Sequence, residues 1–485
     1  MPTILGANSV RDTGYNVANS LRFESGDSDN LSRTNVSSVT NQFKWTFSFW
    51  VKLSDLFASR DGNPFLFSDF TDSNNRGGIF FESDNTLRIN DRVGGSTVLE
   101  RRTNRKFRDT SAWYHIVVNH DRTLSSPTTE VYINGVEETS FSATTNPSQN
   151  GTSAFNKASE SSLIGKFGGG NEFFNGYITE AVWIDGQALD ATSFGEFDED
   201  SPTHWKPKDV SGLTFGNNGF YLDFEDSSSL GKDVSGNSNN FTVNNLTALD
   251  QTTDTCTNNF CTFTQSDPSA SNFTLTHGNC KVSKSGAGAF GLYGTNIMLS
   301  KGKWYFEVKF TADAGSDRTR AGVAAFESVT GTSTIQGSFS GVEFTCTTSG
   351  RFNIVTSGSN NEIDGFNSYS TGDIIQFALD MDNQRLYIGI NGNFFNYSSS
   401  NTGGNPASGS GFVTNNTTVL GAPVTPYAGH SVGVSGTSTL EFNFGNPTFS
   451  ISSGNSDSEG FGNFEFSVPS GYFAICTKNL AEYGG

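Results

Sequence analysis

A chain of 485 residues is too long for one ordinary hydrophobic core and suits two or three domains. Its formal charge of -19 argues against recognition of a nucleic-acid backbone, which needs clustered Lys and Arg. The apolar complement holds 44 phenylalanines against 3 methionines, and each buried ring removes about 150–250 Å² from water, so few strands can build a large core. Gly, Ser, Thr and Asn fill the remainder and no long stretch has helical periodicity; the expected class is all-β.

The opening Met1-Pro2-Thr3-Ile4-Leu5-Gly6 has no basic stretch before an apolar run, and nothing later is long enough to span a bilayer. Neither a secretory signal nor membrane insertion is expected. Residues 1–20 are polar and unpatterned, an N-terminal arm. Leu21-Arg22-Phe23 starts the first strand, and Trp45, Phe47, Phe49 and Val51 alternate onto one side of the next. Trp50 falls on the opposite side, where it either stacks on a sugar ring or lies beneath a covering loop. Further short strands are expected at 65–67, 78–82 and 86–90. A basic run follows at Arg101, Arg102, Arg105, Lys106 and Arg108, a docking surface for an acidic partner or, more ordinarily, a solvated loop paired with carboxylates. Trp113 to Asn119, then Glu130 to Ile133, then Asn134-Gly135 reads as strand, strand and tight hairpin turn, because both turn residues tolerate positive φ.

From Leu163 come Leu163-Ile164-Gly165, a glycine loop at Gly168 to Gly170, and Phe174-Asn175-Gly176-Tyr177-Ile178 running on to Ile184. With the Trp45, Trp113 and Tyr132 segments, these motifs resemble the laminin-G-like, concanavalin A-like jelly roll over residues 21–195. The resemblance implies an antiparallel β-sandwich, and it permits calcium held by loop Asp and carbonyl groups, with Asp69, Asp72 or Asp121 as candidates.

Residues 196–285 read as a connector with a strand at 220–224. Beyond it, Trp304, Phe306, Val308 and Phe310 alternate inward. A second meander spans 371–395, with Ile375, Phe377 and Leu379, then Leu386, Ile388 and Ile390, then Asn391-Gly392. Together with Gly322-Val323-Ala324, Thr425 to Ala428, Phe442 to Gly445 and Gly471 to Ala474, these resemble a SPRY domain over 286–485. Gln376 departs from the small residue that family commonly places there.

Catalytic chemistry finds weak candidates. Glu196, Asp198 and Asp200 share one side of a short acidic strand resembling that of laminarinase-type jelly rolls, but with Asp in last place where those require Glu. Asp223, Glu225 and Asp226 are similar. The histidines, 115, 120, 204, 277 and 430, are dispersed, and no nucleophile elbow stands beside them. The five cysteines (256, 261, 280, 346 and 476) lack zinc spacing and are expected to be reduced. No catalytic, cofactor or metal residue is therefore assigned. Two recognition folds on an acidic, helix-poor chain resemble virion surface proteins of marine tailed bacteriophages. The expectation is a non-enzymatic tail-fibre or capsid-fibre component, a homo-oligomer such as a trimer, that contacts other virion proteins and adheres to host surface glycans. The alternatives are a purely structural decoration and a polysaccharide depolymerase.

Overall fold

The computed structural model describes residues 14–56, 62–264, 273–285, 290–292, 296–312, 319–325, 341–345, 351–356, 359–364, 370–396, 403–430 and 436–485. The chain forms two compact units, Thr13–Thr257 and Asn258–Gly485. Both are all-β. The α-helices among the described residues are Thr417–Leu420 and Thr477–Tyr483, and neither is long and apolar enough to cross a membrane.

In the first unit, period-two alternation becomes two facing antiparallel sheets of eight strands each. One runs Val136–Glu137, Thr128–Ile133, Trp113–Asp121, Lys44–Leu53, Gly176–Asp185, Ser20–Phe23 and Gln251–Thr252, with Phe220–Leu222 also paired to Gly176–Asp185. The other runs Phe141–Thr145, Ser96–Lys106, Thr86–Val93, Asn75–Phe81, Phe65–Asp72, Ser161–Ile164, Asn30–Thr34 and Thr242–Asn244. Trp45, Phe47, Phe49 and Val51 enter the core between them, as their spacing predicts. Trp183 stacks on Trp45 at 4.8 Å and on Phe67 at 4.9 Å. A buried Arg122–Asp91 ion pair adds a polar tie, and the carboxylate also accepts from Ser153 Oγ at 2.8 Å and Ala154 N–H at 3.0 Å. A charge removed from water needs such full pairing.

The stretch expected to connect two domains is divided between them. Up to Thr257 it belongs to the first unit, where Phe220–Leu222 and Gln251–Thr252 extend one sheet and Thr242–Asn244 the other. The Lys52 ammonium, on a core strand, pairs at 2.8 Å with Asp254, whose other oxygen accepts from the Trp113 indole at 3.2 Å. Most of the expected arm lies outside the described residues. Val17 and Ser20 hydrogen-bond to Thr257 and Asp254.

The second unit begins at Asn258, earlier than the sequence suggests. Phe260, Cys261 and Phe263 are buried, and the Thr274–Thr276 and Lys281–Ser285 hairpin pairs with Thr437–Asn443. Its main sheet continues through Lys303–Ala312, Ile374–Asp380, Arg385–Ile390 and Asn393–Phe394. A second sheet of six strands contains Thr319–Ala325 and Val424–His430. Trp304, Phe306, Val308 and Phe310 point inward, with Phe306 stacked on Phe377 at 4.7 Å. Both Asn-Gly pairs form the expected turns: φ is 49° and 76° at Asn134 and Gly135, and 48° and 89° at Asn391 and Gly392.

Gln376 has a structural reason to be large. Its buried amide accepts the Gly392 N–H at 2.7 Å and donates to Tyr305 Oη at 3.1 Å, bracing the tight turn from the neighbouring strand. Tyr305 in turn donates to Glu307, which also accepts the N–H groups of Glu465 and Phe466. Replacing Gln376 with Ala leaves the turn amide without its acceptor and is expected to cost about 1–3 kcal/mol, measured as the urea midpoint at unchanged slope. An unchanged midpoint would show that water replaces the bond freely.

Candidate functional site

The two outer faces of the first unit differ. On the Lys44–Leu53 sheet, the outer face is covered by the chain's own return. Trp50, Val117, Tyr177, Val182 and Tyr221 form a second apolar layer with Phe194, Trp205 and Phe215. The key side chain is Trp205, whose indole N–H donates to His115 Nδ1 at 2.9 Å. That bond leaves the proton of the neutral ring on Nε2, facing Ser48 Oγ at 2.9 Å. Burial lowers the His115 pKa to about 3, so the ring stays neutral and serves as packing. Trp50 stacks on it at 4.6 Å and is only 4% exposed. Trp50 is thus unavailable for sugar stacking and takes the covered alternative. Gly135 serves both its turn and this cover, because a Cβ there would sit 2.2 Å from the Trp205 ring.

Three of the five residues of the basic run are likewise engaged by the fold. Arg101 is buried, donating to the carbonyls of Glu100, Thr129 and Thr145 and to Asn146. Arg102 pairs with Asp84 at 3.2 Å and Arg105 with Glu138 at 2.7 Å. Lys106 and Arg108 are exposed. The acidic strand forms the small Gly195–Phe197 and Trp205–Pro207 ribbon. Lys206 meets Asp198 at 3.1 Å and Glu196 at 3.7 Å, while Asp198 also caps the Asp200 and Ser201 amides. Asp223 accepts the Glu225 N–H, and Asp226 pairs with Lys232 at 3.1 Å. These carboxylates have local structural partners.

The three calcium candidates are separately engaged. Asp69 is buried, accepts from Asn156 N–H at 2.7 Å and from Ser162 Oγ, and is pushed by burial up to about 6. Asp72 caps the Asn74 and Asn75 amides, and Asp121 pairs with Lys44 at 2.9 Å. No group of three or more His, Cys, Asp or Glu residues gathers among the described residues. These residues do not fit a calcium cage. Cys256, Cys261, Cys280 and Cys476 form no disulfide among the described residues, and Cys346 lies outside them.

The other sheet's outer face carries a cleft of about 360 Å³, within the small-molecule range of roughly 300–1,000 Å³. Alternation along Asn75–Phe81 and Thr86–Val93 sends Ile79, Phe81, Leu87 and Ile89 into the core. Arg76, Phe80, Arg88, Asn90 and Arg92 therefore emerge on the opposite side, where they line the cleft. Its floor is a stack of Phe65 on Phe80 at 4.4 Å and on Phe167 at 4.6 Å. Gly78 makes room for that floor, since a Cβ there would lie 2.6 Å from the Phe65 ring. The Arg76 guanidinium sits 5.1 Å over Phe167, and Arg88 sits 5.8 Å over Phe80. Burial, and after it the charge of Arg92, pulls the Arg76 pKa below its ordinary value. Glu172 completes the wall. Sequence reading missed these residues, although the alternation Arg88, Asn90, Arg92 was there to be seen; Arg76 joins them only through strand register.

Residues 25–193 match the model of the concanavalin A-like lectin/glucanases superfamily. Among solved structures, a carbohydrate-binding protein described as putative in its name, from Bacteroides ovatus, is 14% identical, covering 47% of this chain and 59% of its own, with a TM-score of 0.32. Domains LG4-5 of the mouse laminin alpha1 chain are 10% identical, covering 90% of each chain, with a TM-score of 0.29. The SPRY domain of human HERC1 is 13% identical, covering 33% of this chain and 86% of its own, with a TM-score of 0.25. The search of curated proteins found no match.

A strained acid lies at the bulge in Gly176–Asp185, where the register shifts between Thr179 and Val182. Glu180 has φ of 51° and accepts from Tyr221 Oη at 2.8 Å, and burial raises its pKa to about 8. The unfolded chain releases this proton near 4.5 and the folded chain near 8, so its stabilising contribution is full below the first value and lost through the second. Between these values it should contribute a loss of about 1.4 kcal/mol of stability per unit rise in pH. Glu180→Gln, which keeps the acceptor for Tyr221, is expected to flatten the fall in denaturation free energy between pH 6.5 and 8, a range above the ordinary histidine pKa of about 6.5. Parallel pH profiles for parent and variant would refute the assignment.

Proposed function

We propose that this chain is a non-enzymatic adhesion protein whose first unit holds a surface glycan in the cleft above Phe65, Phe80 and Phe167. The observation that carries this reading is the cleft itself, a concave site with an aromatic floor and a polar wall on the sandwich face that the described residues leave uncovered. The superfamily match over 25–193, whose description names lectins, supports a carbohydrate ligand. Three arginines and one carboxylate line the cleft. A glycosidase instead sets two carboxylates about 5–10 Å apart across the scissile bond. The described lining thus favours holding a sugar over cutting one.

The finer placement is a tail-fibre or capsid-fibre component of a tailed bacteriophage, assembled in the host cytoplasm and displayed in several copies, a trimer being the arrangement to test first, against other virion proteins. It is supported by the acidic, Asn- and Gly-rich composition and by the pairing of two recognition sandwiches in one chain. Repeated copies convert weak sugar contacts into avidity.

Purified protein incubated with surface polysaccharide is expected to retain the polymer and to release no new reducing ends over hours. Sustained release would establish a depolymerase instead. Immunogold imaging with antibody to this chain is expected to label fibres or capsid appendages of phage particles. Label confined to host material would end the virion placement.

A further inference from the structure

The register of the open sheet sets Arg76 directly opposite Arg92 on neighbouring strands. Like charges in that relation destabilise a sheet. The adjacent Arg88 and Arg102 are also directly opposed, but there the charge is answered. Arg88 pairs with Glu82 at 2.8 Å and Glu100 at 2.6 Å, and Arg102 pairs with Asp84. Neither Arg76 nor Arg92 makes a salt bridge among the described residues: Glu172 acts on Arg76 only as a nearby charge, and Arg92 donates its Nε to the Gly95 carbonyl at 2.8 Å. On a chain of net charge -19, a facing arginine pair with one nearby carboxylate and no direct ion pair is informative.

Two further polar atoms of the same cleft are buried without a hydrogen-bond partner, Arg88 Nε and Glu172 Oε2. Buried polar atoms are otherwise nearly always satisfied, and a bound molecule is one way to satisfy them. The unmet requirements are of two kinds. The guanidinium groups call for an anion, and Glu172 calls for a donor such as a hydroxyl. A simple inorganic anion meets only the first. A neutral sugar meets only the second.

We propose that the cleft selects an acidic sugar, a pyranose bearing a carboxylate, with the carboxylate on Arg76 and Arg92 and a ring hydroxyl donating to Glu172. This rests on the reading of the first unit as a glycan binder and names the class of glycan. Planar guanidinium and carboxylate groups match in a two-point geometry that an ammonium does not reproduce. The phenylalanines below are buried beneath the arginines, so they hold the guanidinium groups from underneath rather than stack on the sugar.

The test uses the full chain with galacturonate oligosaccharides, sulfated dextran and neutral dextran, followed by titration calorimetry. Galacturonate is expected to bind, more weakly as salt rises, and neutral dextran is not. Arg76→Ala and Arg92→Ala should each weaken galacturonate by about ten- to a hundred-fold, and Arg76→Lys, which keeps the charge and the fold, should recover only part of the loss. Glu172→Gln should weaken galacturonate. Full galacturonate affinity in both arginine variants, with circular dichroism unchanged, overturns the proposal. Equal binding of sulfated dextran with no effect of Glu172→Gln also overturns it, in favour of general anion capture. Binding of neutral dextran that ignores Arg76 and Arg92 overturns the acidic-sugar class while leaving the glycan-binding reading intact. Binding to no glycan at all removes both.

Discussion

A sheet in a sandwich has two faces, and only one can be buried by the partner sheet. In the first unit the remaining face of the Lys44–Leu53 sheet is sealed by a polar contact inside an apolar layer, the Trp205 indole on His115 with Trp50 stacked alongside. The neutral imidazole is what makes this burial tolerable: both of its nitrogens are engaged, and burial holds its pKa far below the solution value. Without that cover, large apolar rings along one face of the first unit would face water. With it, of the two outer sheet faces of the first unit, the opposite one is left to carry the described cleft.

The opposite sheet is built in the reverse sense. Its outer side carries guanidinium groups above a buried phenylalanine floor, and close packing there depends on glycine. Cross-strand charges that could be neutralised are neutralised next door, at Arg88 and Arg102, which shows that acids reach this part of the sheet. The Arg76 and Arg92 pair differs from those neighbours in having no salt bridge among the described residues, which leaves a cross-strand repulsion that a bound anion would relieve.

In the second unit, buried polar groups mainly hold turns and loops in place. Glu307 gathers two loop amides, a tyrosine hydroxyl and the Asn443 amide, and Gln376 continues that network to the Asn391-Gly392 turn. Such satisfied networks rigidify the turns they hold.

Much of the fold was legible in the sequence because its signals are local. Trp45 to Val51 and Trp304 to Phe310 show their inward faces by alternation alone, and each Asn-Gly pair marks its turn through the cost of positive φ in other residues. Trp50 shows the limit: its position on the outer face could be read, but whether that face met water depended on Trp205, far along the chain. The division of residues 196–285 was hidden for the same reason, since strands such as Thr242–Asn244 and Lys281–Ser285 acquire an owner only when they pair. The cleft was wholly a product of tertiary structure. Arg76 and Arg92 are sixteen positions apart and unremarked in a linear reading, and register across two strands is what turns them into one site. Sequence by itself therefore determined the strand periodicity, the turns and the all-β class, which depend on neighbours in the chain; which face stays open and which charges confront each other depend on neighbours in space, and folding alone decided them.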